Sequence, residues 1–324
     1  MKRKKLTLVV VIPCFNEAST LAGVIRSIPK RIPGITKVFS LVVDDGSTDR
    51  TVREAQKAHA TRIVSHNRNK GLGVAFRTGR DAALQLGADI IVTIDADGQF
   101  DGAEIPALVA PVLQGKADMV TGSRFLAKKK IPNMSRLKLF GNQLFTTVVN
   151  ILTGGHYTDT QCGLRAYSRE AAMHLLLHGD FTYTQEVFLN LVDLGMVIHE
   201  IPIHVKYYNG RKSRISGSLL RYGRNSIGII ARAARDIQPL KFFGIPAVFM
   251  LVSGITLGSF MFVRYVILHQ TSPYKTLIDV AMALIIIGTL VLFLALIADM
   301  QREFRHNQER ILYLLRKEHY KKKS

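Results

Sequence analysis

Where the apolar run Asp89 to Ile94 ends, the chain presents Asp95-Ala96-Asp97-Gly98-Gln99, a pair of carboxylates closely followed by an amide. Carboxylates two apart at a strand end converge once the backbone turns. Hard divalent cations take oxygen ligands and complete their shells with phosphate oxygens. The chemistry this cluster suits is therefore a Mg²⁺ or Mn²⁺ ion holding a diphosphate. Asp-x-Asp also occurs in ordinary solvated turns, so the reading needs partners elsewhere in the chain.

The surrounding elements supply them. Strand-like runs Leu6 to Ile12, Val38 to Val43, Thr61 to Val64, Asp89 to Ile94 and Asp118 to Thr121 alternate with helical patterns near Glu17 to Ile28, Asp49 to His59, Leu72 to Leu86 and Glu104 to Gln114. This rhythm predicts an α/β domain with a mostly parallel sheet and flanking helices. Ligands of such sheets sit outside the carboxyl ends of the strands. Polar residues cluster there after each strand: Asn16-Glu17, Asp44-Asp45, Asn67 to Gly71, Asp95 to Gln99 and Ser123-Arg124. A single site is the economical explanation. Farther on, helices near Ser135 to Leu152, Arg169 to Leu177 and Gln185 to Leu194 interleave with short strands near Gly163 to Tyr167 and Val197 to Val205.

The 324 residues carry 44 Lys and Arg against 24 Asp and Glu, a net charge of +20, which implies a polyanionic partner or surface. Two basic runs without acids, between Asp118 and Asp159 and from Ile201 to Arg235, precede a strongly apolar region. There Phe242 to Val263 and Val280 to Ala298 are uncharged, each near the ~20 residues a helix needs to cross hydrocarbon. Basic residues before the first and after the second (Arg302, Arg305, Arg310, Arg316, Lys317 and Lys321 to Lys323) place both termini on the cytoplasmic side. Ser218 to Ile237 reads as an amphipathic helix on the membrane surface. Residues 1–215 are thus expected to form the α/β domain, 216–240 the interfacial helix, 241–300 a transmembrane hairpin and 301–324 a basic cytoplasmic tail. The N-terminal apolar run is short, rich in β-branched residues and interrupted by Pro13, unlike a signal peptide; Asn16 to Ser19 looks instead like the start of a helix. Cys14 and Cys162 suggest no disulfide framework and suit a reducing compartment.

Five motifs stand in order: Val11 to Glu17 (VIPCFNE), Val42 to Asp49 (VVDDGSTD), Asn69 to Gly73 (NKGLG), Asp95 to Gln99 (DADGQ) and Asp159 to Arg165 (DTQCGLR). Together they resemble the GT-A glycosyltransferases of family two, and within it the polyprenol-phosphate hexosyltransferases, the dolichyl-phosphate glucose and mannose synthases. The resemblance covers roughly residues 5 to 215 and implies a GT-A nucleotide-diphospho-sugar transferase fold followed by two transmembrane helices. It implies that Pro13, Asn16 and Glu17 border the base and ribose of a UDP- or GDP-hexose, that Asp45 accepts a hydrogen bond from the base, and that Lys70 and Gly71 close over the nucleotide. Asp95 would contact ribose or metal, and Asp97 and Gln99 would supply metal oxygens. Gly122-Ser123-Arg124 resembles the family's Gly-Ser-Arg signature, so Arg124 is a candidate for both catalysis and phosphate binding, its planar fork matching phosphate oxygens. Arg136, Arg165, Arg211 and Arg214 are further phosphate candidates, Lys128 to Lys130 a membrane-facing loop, and Glu186 a residue orienting the sugar.

The implied reaction is inverting transfer of a hexose, glucose ahead of mannose, to polyprenyl or dolichyl phosphate. A processive polysaccharide synthase on the same fold would usually carry more membrane helices and a Gln-x-x-Arg-Trp motif, and this chain has no tryptophan. A non-catalytic membrane scaffold is opposed by the intact metal and arginine positions. Nucleic acid, compatible with charge alone, has no matching motif here. A homo-oligomer is compatible with the sequence.

Overall fold

The computed structural model describes residues 5–127, 134, 136–175, 184–206, 235 and 238–321. Arg211, Arg214, Lys128 to Lys130 and nearly all of the expected interfacial helix lie outside them, as do the side chains of residues 136–138. The chain divides into two compact units, residues 1–214 with 311–324, and residues 215–310.

The first unit is built on β1 (Thr7–Cys14), β2 (Lys37–Asp44), β3 (Arg62–Ser65), β4 (Ile90–Thr93), β5 (Met119–Ser123), β6 (Arg165–Ser168) and β7 (Ile198–Pro202). Their order in one sheet is β3-β2-β1-β4-β6-β5-β7. The central strands are apolar on both faces, as a sheet covered by helices on each side requires: every residue of Leu8 to Cys14 is buried. The helices are α1 (Leu21–Ser27), α2 (Thr51–Lys57), α3 (Leu72–Gln85), α4 (Ile105–Leu113), α5 (Arg136–Thr153), α6 (Arg169–His174) and α7 (Thr184–Asp193). Beyond Val11, β1 has no register partner on β4. Pro13 therefore sits where its missing N–H breaks no ladder.

One strand departs from the parallel pattern and determines the site. β6 runs antiparallel between β4 and β5, with Arg165 opposite both Thr93 and Thr121. Its reversed direction brings the loop that precedes it, Asp159 to Leu164, to the edge where β4 and β5 end. The fifth motif thereby joins the others.

The second unit holds α8 (Pro239–Leu268) and most of α9 (Thr276–His319). Both are long and apolar enough to cross a membrane. They meet through small residues, Gly254 against Ala281 and Ile285, and Gly288 against Leu251 and Ala247. Small residues let helix backbones approach closely in an apolar setting.

The helix begun in the second span does not stop where the basic tail begins. No Gly or Pro follows Gly288, and α9 runs to His319, a length of roughly 66 Å at 1.5 Å per residue. Its end belongs to the first unit. There Tyr313 donates to Glu170 and stacks on His174, and Arg316 Nη1 donates to the carbonyls of Met173 and Leu175 at 3.0 Å.

Candidate active site

The loops after β1 and β2 are tied to each other. The Asn16 N–H donates to Ser47 Oγ (2.9 Å), the Thr48 N–H to Asn16 Oδ1 (2.8 Å) and the Glu17 N–H to Thr51 Oγ1 (2.8 Å). Asn16 sits at φ +55°, a left-handed geometry that asparagine visits more readily than most residues. Its side chain thus crosslinks two loops, and α1 begins later than the sequence suggests, at Leu21. Glu17 is buried beneath this crossing.

Asp45 organises the next loop. Its carboxylate accepts the N–H groups of Lys70 (2.9 Å) and Gly71 (2.8 Å), and His66 Nδ1 lies 2.7 Å from Oδ1. Gly71 adopts φ +93°, which a side chain would strain. A carboxylate offers about four lone-pair positions, so Asp45 holds the Lys70-Gly71 loop and retains acceptor capacity. His66 Nε2 meets Thr78 Oγ1 at 3.0 Å, fixing the ring that fixes Asp45. Sequence reasoning missed His66, which stands one residue before the polar cluster it noticed.

At the end of β4, the Gln99 N–H donates to Asp97 Oδ1 (3.0 Å) and closes the DADGQ turn. Asp95 is half-buried. Burial pushes its pKa up to about 7; the charge of Asp97 adds to the push, and Arg124 and Arg165 oppose it. A buried carboxylate raised by a like-charged neighbour is relieved by a divalent cation, so this oxygen donor set fits Mg²⁺ or Mn²⁺. Among the described residues no group of three or more His, Cys, Asp or Glu could hold a metal ion, yet ions that bind diphosphates need only one or two carboxylates beside the phosphates.

Gly163 packs directly against the Asp95 carboxylate. A Cβ built on it would lie 2.4 Å from Asp95 Oδ2, and Thr93 Oγ1 holds the Gly163 carbonyl at 2.9 Å. Gly163→Ala must therefore displace the Asp95 carboxylate. We expect it to lower activity about a hundredfold, as an ångström of misplacement does, while the thermal midpoint of the purified protein moves by only a few degrees. Parallel activity and melting measurements check this; wild-type activity would mean that the Asp95 position is not critical.

Arg124 is engaged by Asp159. Its Nε and Nη2 donate to the two carboxylate oxygens at 2.6 and 2.8 Å, and its backbone N–H donates to Oδ2 at 3.2 Å. Asp159 is fully buried and also accepts from Asn142 Nδ2 at 3.0 Å. Burial raises its pKa, but the Arg124 pair and the Asn142 bond outweigh burial and hold it below the usual carboxylate value.

Arg165, a phosphate candidate from the sequence, is held inside the fold. It is fully buried, donates to the carbonyls of Thr184 (2.9 Å) and Thr160 (2.8 Å), and lies 5.0 Å over the Phe188 ring. It thus braces the start of α7, whose first turn carries Glu186. The sequence could not separate a buried arginine from an exposed one. Arg136 opens α5. Cys14 and Cys162 are buried thiols whose pKa values burial pushes well up.

Residues 9–176 match the family model described as glycosyl transferase family 2. The chain is 34% identical to the UDP-N-acetylglucosamine–dolichyl-phosphate N-acetylglucosaminyltransferase of Methanococcus voltae, over 50% of this chain and 69% of that one. It is 30% identical to the polyprenol monophosphomannose synthase of Mycolicibacterium smegmatis, over 65% of this chain and 82% of the relative. Among solved structures it resembles glucosyl-3-phosphoglycerate synthase from Mycobacterium tuberculosis in complex with Mn²⁺, UDP-glucose and phosphoglyceric acid. The TM-score is 0.55 and the identity 25%, covering 71% of this chain and 79% of that one. The sheet and its helices are the GT-A-like arrangement that the motifs led us to expect.

Proposed function

Because the chain belongs to glycosyl transferase family 2, we propose that it transfers a hexose from a nucleotide sugar to polyprenyl or dolichyl phosphate. The observation that carries this reading is the Asp95-to-Gln99 turn at the end of β4, closed by the Gln99 N–H on Asp97 and backed by Gly163 against the Asp95 carboxylate, in a chain that also has two helices of membrane-spanning length. The names of the Methanococcus and Mycolicibacterium relatives support a lipid phosphate acceptor. The neighbour bound to UDP-glucose and Mn²⁺ supports glucose as donor sugar, with mannose second, and a divalent cation.

The reaction is in-line and inverting. An acceptor phosphate oxygen forms a bond to the anomeric carbon as the bond to the nucleoside diphosphate breaks, giving a β-linked product. With a second pKa of ~6 the acceptor phosphate is largely ionised at neutral pH, so no strong base is required, and Glu186 is assigned to orienting the sugar. Pro13, Asn16, Glu17, Asp45, Lys70 and Gly71 bind the nucleotide. Asp95, Asp97 and Gln99 would hold Mg²⁺ or Mn²⁺, which when bound neutralises charge on the leaving diphosphate. Arg124, oriented by Asp159, faces that diphosphate. Arg136, Arg211 and Arg214 are assigned to the acceptor phosphate. Residues 241–300 form the membrane hairpin that keeps the isoprenoid tail in hydrocarbon, 216–240 lie at the interface, and both termini are cytoplasmic.

A panel of UDP- and GDP-hexoses, each tested with Mg²⁺ and with Mn²⁺, addresses the donor. We expect UDP-glucose to be preferred. A preference for GDP-mannose would move the chain to the mannosyl branch, and a growing water-soluble polymer would replace this reading with a synthase.

A further inference from the structure

Glu200 lies on β7, opposite Thr121 of β5 in the parallel register. It was no candidate from the sequence, where an acid in a short strand reads as a solvent-facing position. In the fold it is half-buried and holds the loop before β6. Its Oε1 accepts the Asp159 N–H at 2.9 Å, and its Oε2 accepts the Thr158 N–H at 2.8 Å and the Thr158 hydroxyl at 3.0 Å.

Two routes lead from this carboxylate to Arg124. The first runs through the Asp159 backbone to the Asp159 carboxylate and the guanidinium that it grips. The second runs through Thr158. Because the Thr158 proton goes to Glu200, Ser123 Oγ donates to Thr158 Oγ1 at 2.6 Å, and Ser123 Oγ in turn accepts the N–H groups of Phe125 (3.2 Å) and Leu126 (3.1 Å). Both of these routes from the Arg124 loop therefore end on one side chain.

We propose that Glu200 is a positioning residue for sugar transfer, clamping Thr158 and Asp159 so that Arg124 faces the leaving diphosphate. The proposal rests on the reading of Arg124 given above. Glutamine at this position would keep the shape but turn an NH₂ donor toward a backbone N–H, losing the clamp where Glu200→Asp, shorter but still an acceptor, retains part of it.

The test uses the purified full chain. Glu200→Gln is expected to lower kcat about ten- to a hundredfold, the usual effect of losing an outer-shell partner, with donor KM within about threefold. Glu200→Asp should recover part of the loss. In an Arg124→Lys background the Glu200→Gln change should add less than about twofold, since residues acting as a unit are not additive. Wild-type kcat in Glu200→Gln, or an undiminished effect in the Arg124→Lys background, would overturn the proposal. Amide hydrogen exchange at Thr158 and Asp159 reads the clamp without the reaction: faster exchange in Glu200→Gln is expected, and unchanged exchange overturns the clamp. Absence of transfer by the wild-type protein would overturn the functional reading instead. Should Glu200→Gln not fold, Thr158→Val removes the hydroxyl route alone and is expected to lower kcat with the same small change in KM; wild-type kcat there would remove that route.

Discussion

Asp97→Asn is expected to reduce hexose transfer roughly a thousandfold with the fold intact. A bound divalent ion contributes several kcal/mol by stabilising charge on a leaving group, and about 4 kcal/mol corresponds to three decades in rate. Asparagine preserves the side chain's size and the Gln99 N–H contact to Oδ1, so the turn should survive. Removing the charge also relieves the repulsion that helps to raise Asp95, and the thermal midpoint should stay level or rise slightly. Metal titration of the residual activity checks the cause, since the variant should need a higher concentration for half-activation. Activity within tenfold of wild type, with an unshifted metal requirement, would remove Asp97 from the metal site.

Asp159→Ala should produce the largest loss of stability among the site variants, together with a loss of activity. Deleting one partner of a buried ion pair costs about 3–5 kcal/mol because the other charge is left uncompensated, and here the charge left behind is Arg124. The pair also sets an acid limit. The folded-state pKa of Asp159 lies below its unfolded value, so the stabilisation is present above the unfolded pKa of ~3.9 and is lost as pH falls through the folded value. Wild-type protein should therefore lose stability steeply below about pH 4, and Asp159→Asn should be less stable at neutral pH with a shallower acid slope. Thermal unfolding from pH 7 down to pH 2.5 checks both, and parallel acid slopes would show that the pair carries no linkage.

Much of this is legible in the sequence. The five apolar runs of the first half became β1 to β5; β1, β4 and β5 are largely apolar because both their faces are covered, while β3 is a partly exposed edge strand. The direction of β6 was not legible. A four-residue strand, Arg165–Ser168, carries no signal for parallel or antiparallel pairing, and it runs antiparallel to both of its neighbours. Arg124 was singled out for its fork geometry, but its pairing with Asp159, 35 residues on, is a tertiary fact that spacing cannot give. The burial of Arg165 was not legible for the same reason: charge suggests exposure, and its hydrogen bonds to the carbonyls of Thr160 and Thr184 are tertiary. His66 and Glu200 act through a neighbour's backbone or carboxylate and leave no motif. The helical continuation of α9 through residues 301–319 was hidden by its basic composition, although the absence of Gly and Pro pointed to it.

The most direct measurement is the identity of the product made by purified protein from UDP-glucose and polyprenyl phosphate with Mg²⁺ or Mn²⁺. Our account predicts an acid-labile, β-linked glucosyl phospholipid. It should require the metal, should be converted back to UDP-glucose when UDP is added in excess, and should be lost in Asp97→Asn. A sugar recovered only in water-soluble form, with the lipid phosphate unmodified under every donor and metal, would contradict it.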